Sequence, residues 1–400
     1  MALTLFFLFF VLKQFYIFPS GQIGIADIML GVCFLFLFTQ AIRHLYLQHS
    51  SIPSSAIQNL HNTPDFTLYC FLLCVVTINC IYSILYHDST FLLFTSFWIF
   101  NGCAIWCFRT LASKYGKAFF LCIIIAAKGN ILIQFVIFAM GKGRLFYEYW
   151  GATRYMGTFN DPNQLAFFLF MMILLCYLYH CQYSDQTFPV FYLLGIIPML
   201  ASKSTGSLLG MFVFTIAMIL WKTFSFWRQK HLPQSFLAAG LSLVIISFII
   251  FLHLIWPTSD FDLHTADYTM LTRIQDKLWK ISHGGLLSLV LDRGIDKFML
   301  YPKYLFLGAG EGGFARFLLT DQYHEIHSSL LSLLFCYGIV PSLILLTWLF
   351  GNLKNCTPKM WCAVLALLVE SFFLINYRQP MFWLILLYGS LAQSQKGPHA

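Results

Sequence analysis

Apolar runs long enough to cross a bilayer recur along almost the whole chain, and this repetition limits the fold more than any other feature. Twelve can be marked, near residues 2–18, 25–42, 67–86, 91–108, 118–140, 164–182, 188–201, 205–221, 236–256, 328–351, 360–376 and 381–394. Of 400 residues, 59% are hydrophobic and only 10% charged, against about 25% charged in soluble domains. The expected fold is all-α: a polytopic integral membrane protein with about 12 transmembrane helices, forming a single transmembrane domain over 1–400. A signal peptide followed by a soluble domain is excluded, because the runs continue to the end. The net charge of +8 does not point to nucleic acid, since the basic residues are scattered and form no stripe.

One segment breaks the pattern. Residues 257–326 hold nine of the sixteen acidic residues, together with Arg273, Arg293 and Arg316, and end near the pair His324 and His327. A loop of that length is expected to fold as a small cap with short helices of its own. With the N-terminus placed in the cytoplasm, Arg43, Arg109, Lys114, Lys117, Lys222, Arg228, Lys230, Lys354 and Lys359 fall inside. The long loop then lies outside. The segment 141–163 is the exception, carrying Lys142, Arg144 and Arg154 on the outer side. Most of the twelve cysteines lie inside apolar runs, where they act as small hydrophobes, and no polar CxxC pair suggests a metal. Two charges, Lys128 and Glu370, fall within spans and are expected to pair with each other, while Lys13 is expected to snorkel.

Three outward clusters carry possible chemistry. In the first, Asn160-Asp161-Pro162-Asn163 reads as a turn with Asn163 at the N-cap of the next span, and Arg154 precedes it. An arginine there makes an anion site or, equally, an interfacial anchor. The second is Asp292-Arg293-Gly-Ile-Asp296, where Arg293 either binds a ligand or pairs at i,i+3 with Asp296; Arg273 with Asp276 poses the same choice. The third joins Gly308-Ala-Gly310-Glu311-Gly312-Gly313 to His324-Glu325-Ile-His327. Its glycines permit close backbone approach to a ligand. The histidine spacing is one residue short of the HExxH zinc motif, so no metal is expected. His327 opens a helix and can serve as a general base tuned by Glu325, or simply cap that helix.

Together the ordered motifs resemble the O-antigen polymerase/ligase superfamily. The pieces are RYMGTFNDPNQLA at 154–166, SKSTGS at 202–207, SLVLDR at 288–293, LFLGAGEGGF at 305–314 and EIHSSLLSLLFCYGIVP at 325–341. The resemblance covers residues 140–350 and implies a metal- and cofactor-independent glycosyltransferase of the bacterial inner membrane, working at the periplasmic face. It implies an undecaprenyl-diphosphate-linked glycan as donor and a lipid-linked acceptor, with a chain-length regulator as a possible partner. By that resemblance Arg154 and Arg293 hold the donor diphosphate and His327 is base or positioning residue. Asn160, Asn163, Arg273, Glu311, Arg316, His324 and Glu325 complete the expected substrate site. Ser328 stands where ligases have asparagine after the histidine, which favours a repeat-unit polymerase over a ligase that transfers glycan to lipid A-core. A flippase using Lys128 and Glu370 is the alternative from another class.

Overall fold

The apolar runs become helices that stack around one another, because in a bilayer a helix satisfies its own backbone polar groups. The computed structural model describes residues 1–15, 24–47, 65–148, 152–230, 268–317 and 325–393, with scattered positions between 240 and 262. Those residues form α1 (Ala2–Leu12), α2 (Ile25–Leu47), α3 (Phe66–Tyr86), α4 (Thr90–Tyr115) and α5 (Lys117–Ala139). A hairpin of β1 (Arg144–Tyr147) and β2 (Thr153–Gly157) follows, then α6 (Pro162–Tyr183), α7 (Phe188–Ala201) and α8 (Thr205–Lys230). The polar segment contributes α9 (Met270–Asp292), α10 (Lys297–Leu300) and α11 (Tyr304–Leu307). The chain ends with α12 (Ser329–Tyr337), α13 (Ile339–Leu353), α14 (Trp361–Glu370) and α15 (Pro380–Gln393).

Among the described residues six helices (α2 to α6 and α8) are long and apolar enough to cross a membrane, and five shorter apolar helices join them, which makes this a multi-pass membrane architecture. Helix α6 is apolar all round, as a helix must be when it has no wet face. In its most apolar stretch 89% of residues are buried inside the protein, against 22% in α2, α3 and α8, so α6 is the central post and those three are peripheral.

Several spans differ from the sequence expectation. The run 328–351 is two helices, α12 and α13, divided at Gly338, whose φ of 78° no helix accepts. The run 360–376 is helical only to Glu370. The run 2–18 stops being helical at Leu12. The described residues between 240 and 255 are helical, while most of the run 236–256 lies outside the described residues. Lys128 pairs not with Glu370 but with Asp185, at 2.6 Å, because the α6–α7 turn brings an acid within reach. Lys13 does not snorkel; it closes on Asp27 at 2.7 Å.

The helix ends define two faces. On one, Arg109 reaches Asp65 at 2.7 Å and Asn352 at 2.8 Å, and Tyr177 OH donates to the Lys359 carbonyl. This face carries the cations counted above as cytoplasmic. On the opposite face lie the hairpin, the α7–α8 turn, the polar segment and the connection 371–379, held by bonds such as Ser329 Oγ to the Leu374 carbonyl, 2.7 Å. The polar segment is folded: Tyr304, Ala309, Phe317 and Ile326 bury themselves against Phe335 of α12.

Candidate functional site

The hairpin face begins with Arg154. Strand β2 pairs with β1 so that Arg154 stands opposite Phe146, and Glu148, just past the end of β1 and two residues from Phe146, shares its face, its amide bonded to the Ala152 carbonyl. Arg154 is buried; its Nε donates to the Ser202 carbonyl at 2.9 Å and its Nη2 to Asn163 Oδ1 at 2.9 Å. Asn163 is free for this because it does not cap α6, as the sequence suggested. Asp161 is the cap, accepting from the Asn163 and Gln164 amides, with Pro162 in the first turn.

Two more cations join Arg154. Lys203 takes a left-handed conformation (φ 55°) in the α7–α8 turn and donates to the carbonyls of Thr153 and Tyr268, each at 2.7 Å. Arg273, in the first turn of α9, leans on the Tyr268 ring, which also lies beneath Lys203. Glu148 Oε1 stands 3.9 Å from both Arg154 Nη1 and Arg273 Nη1, too far for a hydrogen bond. Arg273 Nη1 is buried and has no hydrogen-bond partner among the described residues. The electrostatics register this crowding. Burial, then the Arg273 charge, lowers Arg154 to about 10. Burial, then the charges of Arg154 and Arg273, lowers Lys203 below an ordinary lysine. Among the described residues, Glu148 is thus the one carboxylate within 4 Å of Arg154 and Arg273, Lys203 adds a third positive charge, and an anion placed among them would relieve the repulsion.

A second group lies across the α8 N-terminus, where Gly206 fits against Phe373 and Leu374. Arg293 donates to the Phe373 carbonyl and to the His327 carbonyl, and its guanidinium covers the Phe373 ring. The His327 amide returns a bond to the Arg293 carbonyl at 3.0 Å, so the two residues are held side by side. His327 is exposed and sits just before α12, whose N-cap is Ser328.

The remaining candidates divide. Asn160 accepts from Arg144 at the hairpin's edge. Glu311 is fully buried and receives Trp98 Nε1, Tyr337 OH, Tyr377 OH and Arg378 Nε, so its oxygens are committed within the protein. Glu325 gives both oxygens to Arg378 and so does not turn to His327. Arg316 lies among the rings of Tyr82, Tyr86, Phe91 and Phe317 and donates to Ala309 and Gly312 carbonyls. His324 lies outside the described residues. The glycine loop 308–313 approaches the protein's own backbone rather than a ligand. The Ala309 and Gly310 amides satisfy the Phe335 and Cys336 carbonyls at the end of α12, and a Cβ on Gly308 would strike Tyr337.

Lys203 and Arg378 are the residues that sequence reasoning missed. Lys203 stood within the quoted SKSTGS motif, two residues beyond an apolar run, but nothing local showed that it would meet Arg154. No protein-family model matches the chain, and no curated protein matches it.

Proposed function

We propose that this chain is a repeat-unit polymerase of the O-antigen polymerase/ligase kind. It would lie in the bacterial inner membrane with its cationic face in the cytoplasm, about twelve spans, and residues 257–326 as a periplasmic cap. The reading rests on one observation above the others: Arg154, Lys203 and Arg273 converge on the hairpin face, and among the described residues Glu148 is the one carboxylate within 4 Å of the two guanidiniums. Such a cluster suits a lipid diphosphate, which carries about two negative charges and several acceptor oxygens. Arg293 and His327 on the same face supply the complementary chemistry.

In the reaction, an acceptor sugar hydroxyl attacks the anomeric carbon of the donor glycan. The new C–O bond forms as the bond to the diphosphate breaks, with inversion. The hydroxyl proton passes to the His327 imidazole, and the electron pair leaves with undecaprenyl diphosphate. Guanidiniums already fixed by protein carbonyls stabilise the departing charge without reorganising. No metal or cofactor enters this scheme.

The test is chain extension by the reconstituted protein on lipid-linked repeat units. His327→Ala is expected to slow extension by about 10²-fold or more, the usual contribution of a positioned base. Arg293→Ala is expected to slow it comparably. Undiminished elongation by both variants would refute the assignment, and a product attached to lipid A-core would make the protein a ligase.

A further inference from the structure

The cationic face holds a pocket that the proposed chemistry does not use. It has a volume of about 350 Å³ and lies among the end of α6, the start of α7, the middle of α8 and the α13–α14 turn. Tyr177, His180, Tyr192 and Trp221 form its walls, and Lys222 and Lys359 stand with them in the lining. Among the described residues, no carboxylate side chain lines it. The nearby acid, Asp185, is committed elsewhere: it pairs with Lys128 at 2.6 Å and accepts from the Thr187 amide and hydroxyl. His180 Nδ1 donates to the Asp185 carbonyl at 2.6 Å, which fixes the ring. Neither Lys222 nor Lys359 makes an ion pair among the described residues.

We propose that this pocket binds the headgroup of an anionic phospholipid. Three features favour that occupant over a soluble anion. Tyr177, Tyr192 and Trp221 are the amphipathic residues that settle at headgroup depth, and Lys222 lies one residue beyond Trp221. Two unpaired lysines supply the charge complement, as in basic pockets between spans that receive acidic lipid heads. The helices beside the pocket also offer a path for acyl chains. Val190, Leu193 and Ile197 fall at i, i+3 and i+7 on α7 and are all exposed, and Ile219, Leu220 and Phe224 are exposed on α8. The two helices meet inside that path through Tyr192 OH and Thr215 Oγ1, 2.7 Å apart. Headgroup and chains would therefore be held by adjacent polar and apolar surfaces. The site lies on the face opposite Arg154 and His327, so it stands or falls independently of the polymerase reading.

The full-length protein in phosphatidylcholine nanodiscs, doped with phosphatidylglycerol, provides the experiment. Native mass spectrometry is expected to show retained phosphatidylglycerol adducts, and thermal unfolding is expected to rise with phosphatidylglycerol but not with added phosphatidylcholine. Lys222→Gln with Lys359→Gln should weaken phosphatidylglycerol binding about twenty-five-fold, two lysines each contributing about fivefold. Lys222→Arg with Lys359→Arg should retain binding. Three results would overturn the proposal: equal retention of both lipids by the unaltered protein, undiminished binding by the glutamine pair, or the same stabilisation from inorganic phosphate alone. The comparison on the unaltered protein decides the matter even if the glutamine pair fails to fold.

Discussion

At the scale of single residues, the site depends on what each cation is already holding. Arg154 uses its fork twice, Nε to Ser202 and Nη2 to Asn163, and this aims the remaining donor at the space shared with Arg273. Lysine's three donors sit on a single nitrogen rather than on a planar fork, so one ammonium cannot reach Ser202 and Asn163 and still present a donor toward Arg273 in the same geometry. Arg154→Lys is therefore expected to weaken pyrophosphate binding, measured calorimetrically, by roughly tenfold or more, the worth of one charged hydrogen bond. Unchanged affinity would mean that Arg154 serves only to pin the α7–α8 turn. Lys203 offers a test by pH. Its pKa lies below that of an ordinary lysine, through burial and then the Arg154 and Arg273 charges. An anion binds the protonated ammonium, so affinity is full below the Lys203 pKa and falls as pH rises through it. The decline should begin at a lower pH than an ordinary lysine, near 10.4, would give. Lys203→Arg keeps the charge and should move the onset upward; an unmoved onset would remove Lys203 from the anion site.

The elements show which parts of the design a sequence discloses. The spans from α2 to α8 were legible because an apolar run of bilayer length has almost no other fate. The turn before α6 was legible too, but its cap was assigned to Asn163, whereas Asp161, extended and just before Pro162 at the first helical position, is the residue placed to accept from the free Asn163 and Gln164 amides. The hairpin was not foreseen. Its strands are four and five residues long, and their pairing joins positions across a turn that carries no apolar alternation to announce it. The glycine loop was legible as a place of positive φ, yet its partners, Tyr82 and Phe91 on α3 and α4, lie over two hundred residues away. Gly157 makes the hairpin's dependence testable. It closes β2 at φ 58°, and a Cβ there would collide with the Gln134 amide oxygen. Gln134 is part of a buried chain in which it donates to Gln14 and Thr158, and Gln14 donates to Asn130. Gly157→Ala should cost at least about 1–2 kcal/mol from the backbone alone, read as a lower unfolding temperature. It should also lower pyrophosphate affinity through displacement of Arg154 three residues away. A full-affinity Gly157→Ala protein would show that the hairpin is not what positions the cation.

The whole molecule is organised by the opposition of its two faces. Lysines and arginines crowd one set of helix ends, and the described part of the carboxylate-rich polar segment packs at the other. A positive face of this kind is retained in the cytoplasm during insertion, and the proposed polymerisation of exported glycan would require the hairpin face outside. Both conditions must hold together, because an inverted protein would present Arg154 and Arg293 to the wrong compartment. Thiol labelling can measure the arrangement. All twelve native cysteines are buried or half-buried, so an impermeant maleimide should find little background. Met299 on α10 is 78% exposed on the hairpin face, and Lys354 in the α13–α14 turn is exposed on the other. Met299→Cys is expected to label in intact cells, and Lys354→Cys only after the inner membrane is opened. The reverse pattern would leave the fold intact but turn the Arg154–Lys203–Arg273 cluster toward the cytosol, where an exported glycan cannot reach it, and would refute the proposed function. Labelling of both positions from one side would contradict the opposition of faces itself, since the odd number of crossings between Met299 and Lys354 through α12 and α13 requires them to lie in different compartments.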